Sequence, residues 1–191
     1  MRFFYITLFI CNLFPMKKIE TLSYNADFKN IGAGTAIMQT TILDDKKEIF
    51  FSFKVSKVID FFYKLHENTS MIVNKKNNFL EYINQDSQQG KRKKNHEAYF
   101  DYSKKIIFSN NDTTSLDNKL YNPISIISFL RNQKLNINDS YIFHTYSFGK
   151  IKKLGMKVIN QEDKIINNKT YNCFVLAPFY LNVLDEKNKK G

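Results

Sequence analysis

Alternation of apolar and polar side chains with a period of two residues is the feature that most constrains the fold of this chain. Between residues 48 and 56, the apolar side chains of Ile49, Phe51, Phe53 and Val55 fall on one face, and the intervening positions are mostly polar. This is the period of a strand with one buried and one solvated face. It indicates an antiparallel sheet, since strands of parallel sheets are covered on both faces.

The same kind of pattern recurs along the chain and predicts many short strands. They are expected at residues 21–29, 35–43, 70–74, 79–85, 96–102, 106–109, 141–146, 151–158 and 172–177. Strand alternation also accounts for Tyr99, Phe100 and Tyr102 as core. The glycine in Ser147-Phe148-Gly149-Lys150 suits a hairpin loop between two of these strands. Gly32-Ala33-Gly34 predicts a tight turn or a bulge, because a strand pattern follows it where a phosphate-binding loop opens a helix.

One helix stands out among the strands. Asn122 followed by Pro123 is typical of a helix N-cap with proline at the first helical position, and apolar residues at helical spacing continue to Arg131. Residues 56–65 fit either one or two helical turns or a strand. The sequence therefore predicts a mainly β fold, a curved antiparallel sheet or incomplete β-barrel with one or two short helices.

The first residues of the chain predict that the protein is exported. Arg2 precedes a run of about a dozen mostly apolar residues, which is typical of a secretory signal peptide and too short to span a bilayer. We interpret residues 1–20 as a signal peptide-like segment and residues 21–191 as a single antiparallel β domain, exported to the periplasm or beyond. An uncleaved anchor, or a true start at Met16, is the alternative.

The charge of the chain is strongly basic but consists mainly of lysine. Its 191 residues contain 29 Lys and Arg against 18 Asp and Glu, a formal net charge of +11, and only three of the basic residues are arginine. Because arginine makes the bidentate contacts that read bases, nucleic acid is a disfavoured partner. The densest basic cluster is predicted to contact an anionic envelope surface, or simply to flank a solvated hairpin: Lys91, Arg92, Lys93, Lys94, Lys104 and Lys105.

No catalytic, cofactor-binding or metal-ligating motif is visible in the sequence. His66, His96 and His144 are far apart, and none has a second ligand at metal-binding spacing. The sequence contains no Gly-x-Ser-x-Gly motif, which would position a serine as a nucleophile on a tight turn. The enzyme alternative therefore requires that residues distant in sequence come together in the folded protein, namely Asp101, Arg131 and His144. We expect no cofactor, and we expect Cys173 to be a small buried hydrophobe rather than a nucleophile.

Several short motifs, in order, resemble those of a known family. They include an opening hairpin with Tyr24 and the Gly32-Ala33-Gly34 step, a Phe100-Asp101-Tyr102 strand after a basic hairpin, a helix ending in Leu130-Arg131, and a late strand entered through residues 169–173. The sequence is similar over about residues 20–178 to the exported bacterial proteins known as domain of unknown function 3108 (DUF3108).

That resemblance implies a secreted or periplasmic antiparallel β protein, wrapped like an incomplete barrel, with no established activity. Members generally continue into a final strand that carries Trp. This chain contains no Trp and stops at Gly191, so its C-terminal end is predicted to be truncated and to leave a sheet edge exposed.

The preferred functional hypothesis is an exported, non-enzymatic binding protein for an apolar or amphipathic ligand, such as a lipid, or for another envelope protein. Its candidate ligand-lining residues are aromatic: Phe51, Phe53, Phe61, Phe62 and Phe129. An enzyme acting on an envelope polymer and a basic nucleic-acid-binding module are the alternatives.

Overall fold

The fold contains two β-sheets. The structure is a computed structural model that describes residues 18–28, 31–110 and 112–180. The first sheet has eight strands in sequence order, each antiparallel to the next. Its strands are β1 (Lys18–Phe28), β2 (Ile31–Ile42), β3 (Lys46–Val55), β4 (Leu65–Asn74), β5 (Leu80–Gln89), β6 (Arg92–Asp101), β7 (Ile106–Ser109) and β8 (Asp112–Ser115). A short helix, α1 (Lys57–Phe62), connects β3 to β4 and resolves the ambiguity at residues 56–65.

The second sheet has four strands in the order β12-β11-β10-β9. These are β9 (Leu120–Tyr121), β10 (Ser140–Ser147), β11 (Lys150–Ile166) and β12 (Lys169–Tyr180). β9 and β10 are parallel, and the crossover between them contains helix α2 (Pro123–Leu130). The fold is therefore mainly β, as predicted, with two sheets and no closed barrel among the described residues.

Helix α2 begins as its sequence predicts. The Asn122 side chain accepts a hydrogen bond from the Ile124 N–H at 3.0 Å, and the Ser125 hydroxyl accepts one from the Asn122 N–H at 3.0 Å. This reciprocal pair satisfies N–H groups that have no partner within a helix. Neither of the helices in the described residues is long and apolar enough to cross a membrane.

The main core lies between the two sheets. Met38, Ile49, Met71 and Ile83 project from neighbouring strands of the first sheet and are at most 2% exposed. They pack with side chains of the second sheet, including Tyr146. The alternation in β3 is confirmed, because Ile49 is buried whereas Phe50 on the other face is 40% exposed. A second, smaller core cluster lies where α2 packs on the second sheet.

The glycines predicted to mark a turn or bulge do mark a bulge. The pairing of β1 with β2 shifts register here, since Ala26 pairs with Gly34 but Asp27 pairs with Gly32. A Cβ atom at Gly34 would lie 2.5 Å from the Lys54 carbonyl oxygen of β3. Glycine is therefore required at position 34 because the neighbouring backbone approaches so closely.

The predicted boundary after Glu20 falls inside a strand. β1 begins at Lys18, and the Glu20 carboxylate accepts two hydrogen bonds of 2.8 Å from the Arg131 guanidinium at the end of α2. The predicted signal run at residues 3–14 and the predicted truncation near Gly191 lie outside the described residues.

Candidate functional site

A basic cleft of about 640 Å³ opens between the start of β6 and the β10–β11 hairpin. Its size is within the usual range for small-molecule sites. We call it the basic cleft, and its lining residues are Lys93, Lys94, Asn95, His96, Pro123, Thr145, Ser147, Phe148, Lys150, Lys152 and Leu154.

Four lysines from two sheets converge on the basic cleft. Lys93 and Lys94 come from β6 in the first sheet, whereas Lys150 and Lys152 come from β11 in the second. The described lining contains no Asp or Glu. Because like charges meet in a partly enclosed space, the cleft concentrates anions.

The floor of the basic cleft is a buried polar network. His96 is 7% exposed, and its Nε2 shares a hydrogen bond of 2.7 Å with the Tyr146 hydroxyl of the second sheet. Burial lowers the pKa of His96 and raises the pKa of Tyr146. Both side chains are therefore uncharged at neutral pH, and the positive charge of the cleft comes from its lysines.

Gln85, which pairs with His96 on the neighbouring strand, connects the buried polar network to the β10–β11 hairpin. The side chain is fully buried; its Oε1 accepts a 2.8 Å hydrogen bond from the Phe148 N–H, and its Nε2 donates a 3.3 Å bond to the Ser147 hydroxyl. These bonds hold the β10–β11 turn of the second sheet against β5 of the first.

The turn itself has an unusual backbone. Phe148 and Gly149 have φ values of 46° and 77°, the left-handed values that a two-residue hairpin turn needs. A Cβ atom at Gly149 would lie 3.3 Å from Cε1 of His96. Phe148 pays a conformational penalty there, since bulky residues seldom adopt positive φ. The hydrogen bond to Gln85 offsets this cost and places Phe148 on the cleft wall.

The predicted basic cluster is divided by the structure. Lys93 and Lys94 line the basic cleft, and Lys91 and Arg92 lie exposed beside it at the start of β6. Lys104 and Lys105 follow the other end of β6. At about 3.3 Å per residue, the stretch of β6 from Lys94 to Asp101 separates the two groups by about 23 Å, so they form two surfaces.

The predicted ligand-lining phenylalanines whose side chains the structure describes lie in different surroundings. Phe51 packs against the main core and Phe53 is half-buried on the same face of β3, whereas Phe129 packs into the second core cluster. Phe61 is 85% exposed on α1. The side chain of Phe62 lies outside the described residues.

Asp101, Arg131 and His144 each have separate contacts. Asp101 accepts hydrogen bonds from Ser103 and from the Lys104 N–H, which lower its pKa to about 2, and Arg131 binds Glu20. His144 lies on β10 between β9 and β11. Among residues 18–28, 31–110 and 112–180, no three His, Cys, Asp or Glu side chains are placed to hold a metal ion.

Sequence reasoning missed most of the basic cleft. Lys150 and Lys152 are two residues apart, which places them on one face of a strand beside a predicted hairpin; this was the available signal. Nothing in the sequence indicated that His96 and Gln85 of the first sheet would meet that hairpin.

Comparison with known proteins agrees with the motif resemblance. A family model described as "Protein of unknown function (DUF3108)" matches residues 23–190. The chain belongs to the DUF3108 family. No curated protein and no solved structure matches this chain. The family assignment thus brings no activity with it.

Proposed function

We propose that this DUF3108 protein is an exported, non-enzymatic binding protein that holds an anionic amphipathic ligand in the basic cleft. The observation that carries the proposal is the convergence of Lys93, Lys94, Lys150 and Lys152 on one partly enclosed space whose described lining contains no carboxylate. Export is supported by Arg2 and the apolar run of residues 3–14, a signal-like pattern that precedes β1.

The wall of the basic cleft explains why the ligand is amphipathic. Pro123, Phe148 and Leu154 provide apolar surface beside the lysines. A ligand with a negative headgroup and a short exposed stretch of hydrocarbon satisfies both parts of the lining. An anionic phospholipid of the bacterial envelope has this chemistry, and the ammonium groups would contact its phosphate.

A titration with monomeric lipids tests the proposal. Dihexanoyl-phosphatidylglycerol, which is anionic, is compared with the zwitterionic dihexanoyl-phosphatidylcholine by isothermal calorimetry, below the micelle concentration. We expect the anionic lipid to bind more tightly, with an affinity that falls as salt rises.

Charge variants locate the binding. At about 1 kcal/mol for each lysine, the double substitution Lys150→Gln and Lys152→Gln should weaken binding about 30-fold. Lys104→Gln with Lys105→Gln is the matched control, because it removes the same charge from lysines that follow the far end of β6 and do not line the cleft. Equal effects of the two pairs would refute a site in the cleft. Competition by a single-stranded oligonucleotide at equal charge concentration would favour the nucleic-acid alternative.

A further inference from the structure

The solvent-facing side of the first sheet carries aromatic rings on three neighbouring strands. Tyr82 of β5 pairs directly with Tyr99 of β6, which pairs with Phe108 of β7. Tyr99 is 52% and Phe108 43% exposed, and Tyr82 is half-buried. The expectation that Tyr99 belongs to the core is therefore wrong: its neighbour Phe100 points inward, so alternation turns Tyr99 to solvent. We call Tyr82, Tyr99 and Phe108 the outer aromatic row.

The two tyrosines of the row are held in place by one carboxylate. The hydroxyls of Tyr82 and Tyr99 donate hydrogen bonds of 2.9 Å and 3.0 Å to Oε1 of Glu97, and their ring centroids are 4.8 Å apart. Burial, followed by the bond to Glu97, raises the pKa of Tyr82 to about 12. Two rings with anchored hydroxyls form a platform that loses little conformational entropy when a ligand binds.

Polar groups flank the outer aromatic row on both sides. A hollow of about 660 Å³ beside all three rings contains Glu81 and Asp101. A second hollow, of about 330 Å³ beside Tyr99 and Phe108, is lined with polar residues: Glu97, Ser109, Asn110, Asp112 and Thr113. Hydrogen-bonding groups therefore lie on either side of the aromatic rings.

The charges around the row select against anionic ligands. The described linings of the two hollows contain four carboxylates and one lysine, Lys46. That lysine forms an ion pair of 3.0 Å with Glu81, and Lys104, which follows β6, lies 3.5 Å from Asp101. Glu97 and Asp112 therefore provide the excess negative charge around the row. A phosphate-bearing ligand such as a nucleic acid would meet like charge here, in contrast to the basic cleft.

We propose that the outer aromatic row is a binding site for a neutral oligosaccharide. The apolar faces of pyranose rings stack on aromatic side chains, and their hydroxyls donate to carboxylate oxygens and exchange hydrogen bonds with amides and hydroxyls. The row spans three strands spaced about 4.8 Å apart, so it accommodates consecutive sugar units. The site is independent of the basic cleft.

Calorimetric titration of the whole protein with cellotetraose and with tetra-N-acetylchitotetraose tests the proposal. At least one of the two should bind, with an affinity that is unchanged between 0.1 M and 0.5 M salt because the ligand is neutral. Loss of one stacking ring, in Tyr99→Ala or Phe108→Ala, should weaken binding at least about fivefold. Tyr171→Ala is the matched control, since Tyr171 is also exposed on a strand, at 48%, but belongs to the second sheet.

Two further measurements keep the proposal open to refutation. Tyr99→Phe retains the ring and should bind more tightly than Tyr99→Ala, provided that circular dichroism shows both folded. Failure of both saccharides to bind at millimolar concentration would overturn the proposal, as would ring variants that bind like wild type. Ring-dependent binding of an oligothymidylate would assign the row to single-stranded nucleic acid instead and would also overturn it.

Discussion

Replacing Gln85 by leucine tests how the basic cleft is built. Gln85 is fully buried and makes two hydrogen bonds to the β10–β11 turn, one to Phe148 and one to Ser147. Leucine fills a similar volume but leaves the Phe148 N–H without this acceptor, at a cost of about 1–3 kcal/mol. The bond to Ser147 contributes about 1 kcal/mol more, which the apolar leucine side chain partly offsets by its own burial.

We therefore expect Gln85→Leu to lose about 1–3 kcal/mol of unfolding free energy. For a domain of this size, this loss corresponds to a fall of about 2–12 °C in the melting temperature. The turn carries Phe148 and leads into Lys150, so affinity for an anionic cleft ligand should fall as well. Urea unfolding and calorimetric titration measure the two effects.

The matched control is Gln88→Leu on the same strand. Gln88 is half-buried, and its Nε2 donates to the Gly90 carbonyl within its own hairpin, at 3.2 Å. We expect less than about 1 kcal/mol of destabilisation and unchanged ligand affinity from this substitution. If Gln85→Leu were no worse than Gln88→Leu, the reasoning that cross-sheet hydrogen bonds hold the cleft together would be refuted.

Three other outcomes are expected. Because burial lowers the pKa of His96, protonation of this side chain is less favourable in the folded state than in the unfolded state. The unfolding free energy should therefore reach its maximum above about pH 6.5 and fall as the pH drops below that value. In His96→Gln, the urea midpoint should lack this part of the pH dependence. Gly34→Ala should cost about 1–3 kcal/mol in urea unfolding, since its Cβ would collide with the Lys54 carbonyl; an unchanged midpoint would contradict the close approach of β2 and β3. Glu20→Gln should cost at most about 1 kcal/mol, because its ion pair with Arg131 is nearly half exposed, and high salt should erase the difference from wild type.

The strands were predictable where one face is apolar and the other polar. Ile49 and Phe51 on β3 show this pattern, and so do Leu154 and Val158 on β11. The early part of β4 was not recognised, because Glu67 and Thr69 point inward and break the alternation. The sequence does not predict β8 and β9 for a related reason. β8 consists of four exposed polar residues and β9 of only two residues, so neither shows an alternation of apolar and polar side chains.

The candidate sites were only partly predictable, because each depends on contacts between distant segments. The sequence places Lys93 and Lys94 beside a hairpin, but their meeting with Lys150 depends on how the second sheet packs on the first. Conversely, Lys104 is near Lys94 in sequence and lies at the other end of β6. The outer aromatic row required the register of three strands, which a single sequence does not contain.

Native mass spectrometry in a lipid mixture tests the central claim most directly. Wild type and the Lys150→Gln, Lys152→Gln variant are each mixed with equal concentrations of dihexanoyl-phosphatidylglycerol and dihexanoyl-phosphatidylcholine. We expect the complex with the anionic lipid to dominate for wild type and to decline about 30-fold relative to free protein in the variant. Equal occupancy by the two lipids, or a preference that survives the loss of both lysines, would contradict a basic cleft that binds anionic amphipaths.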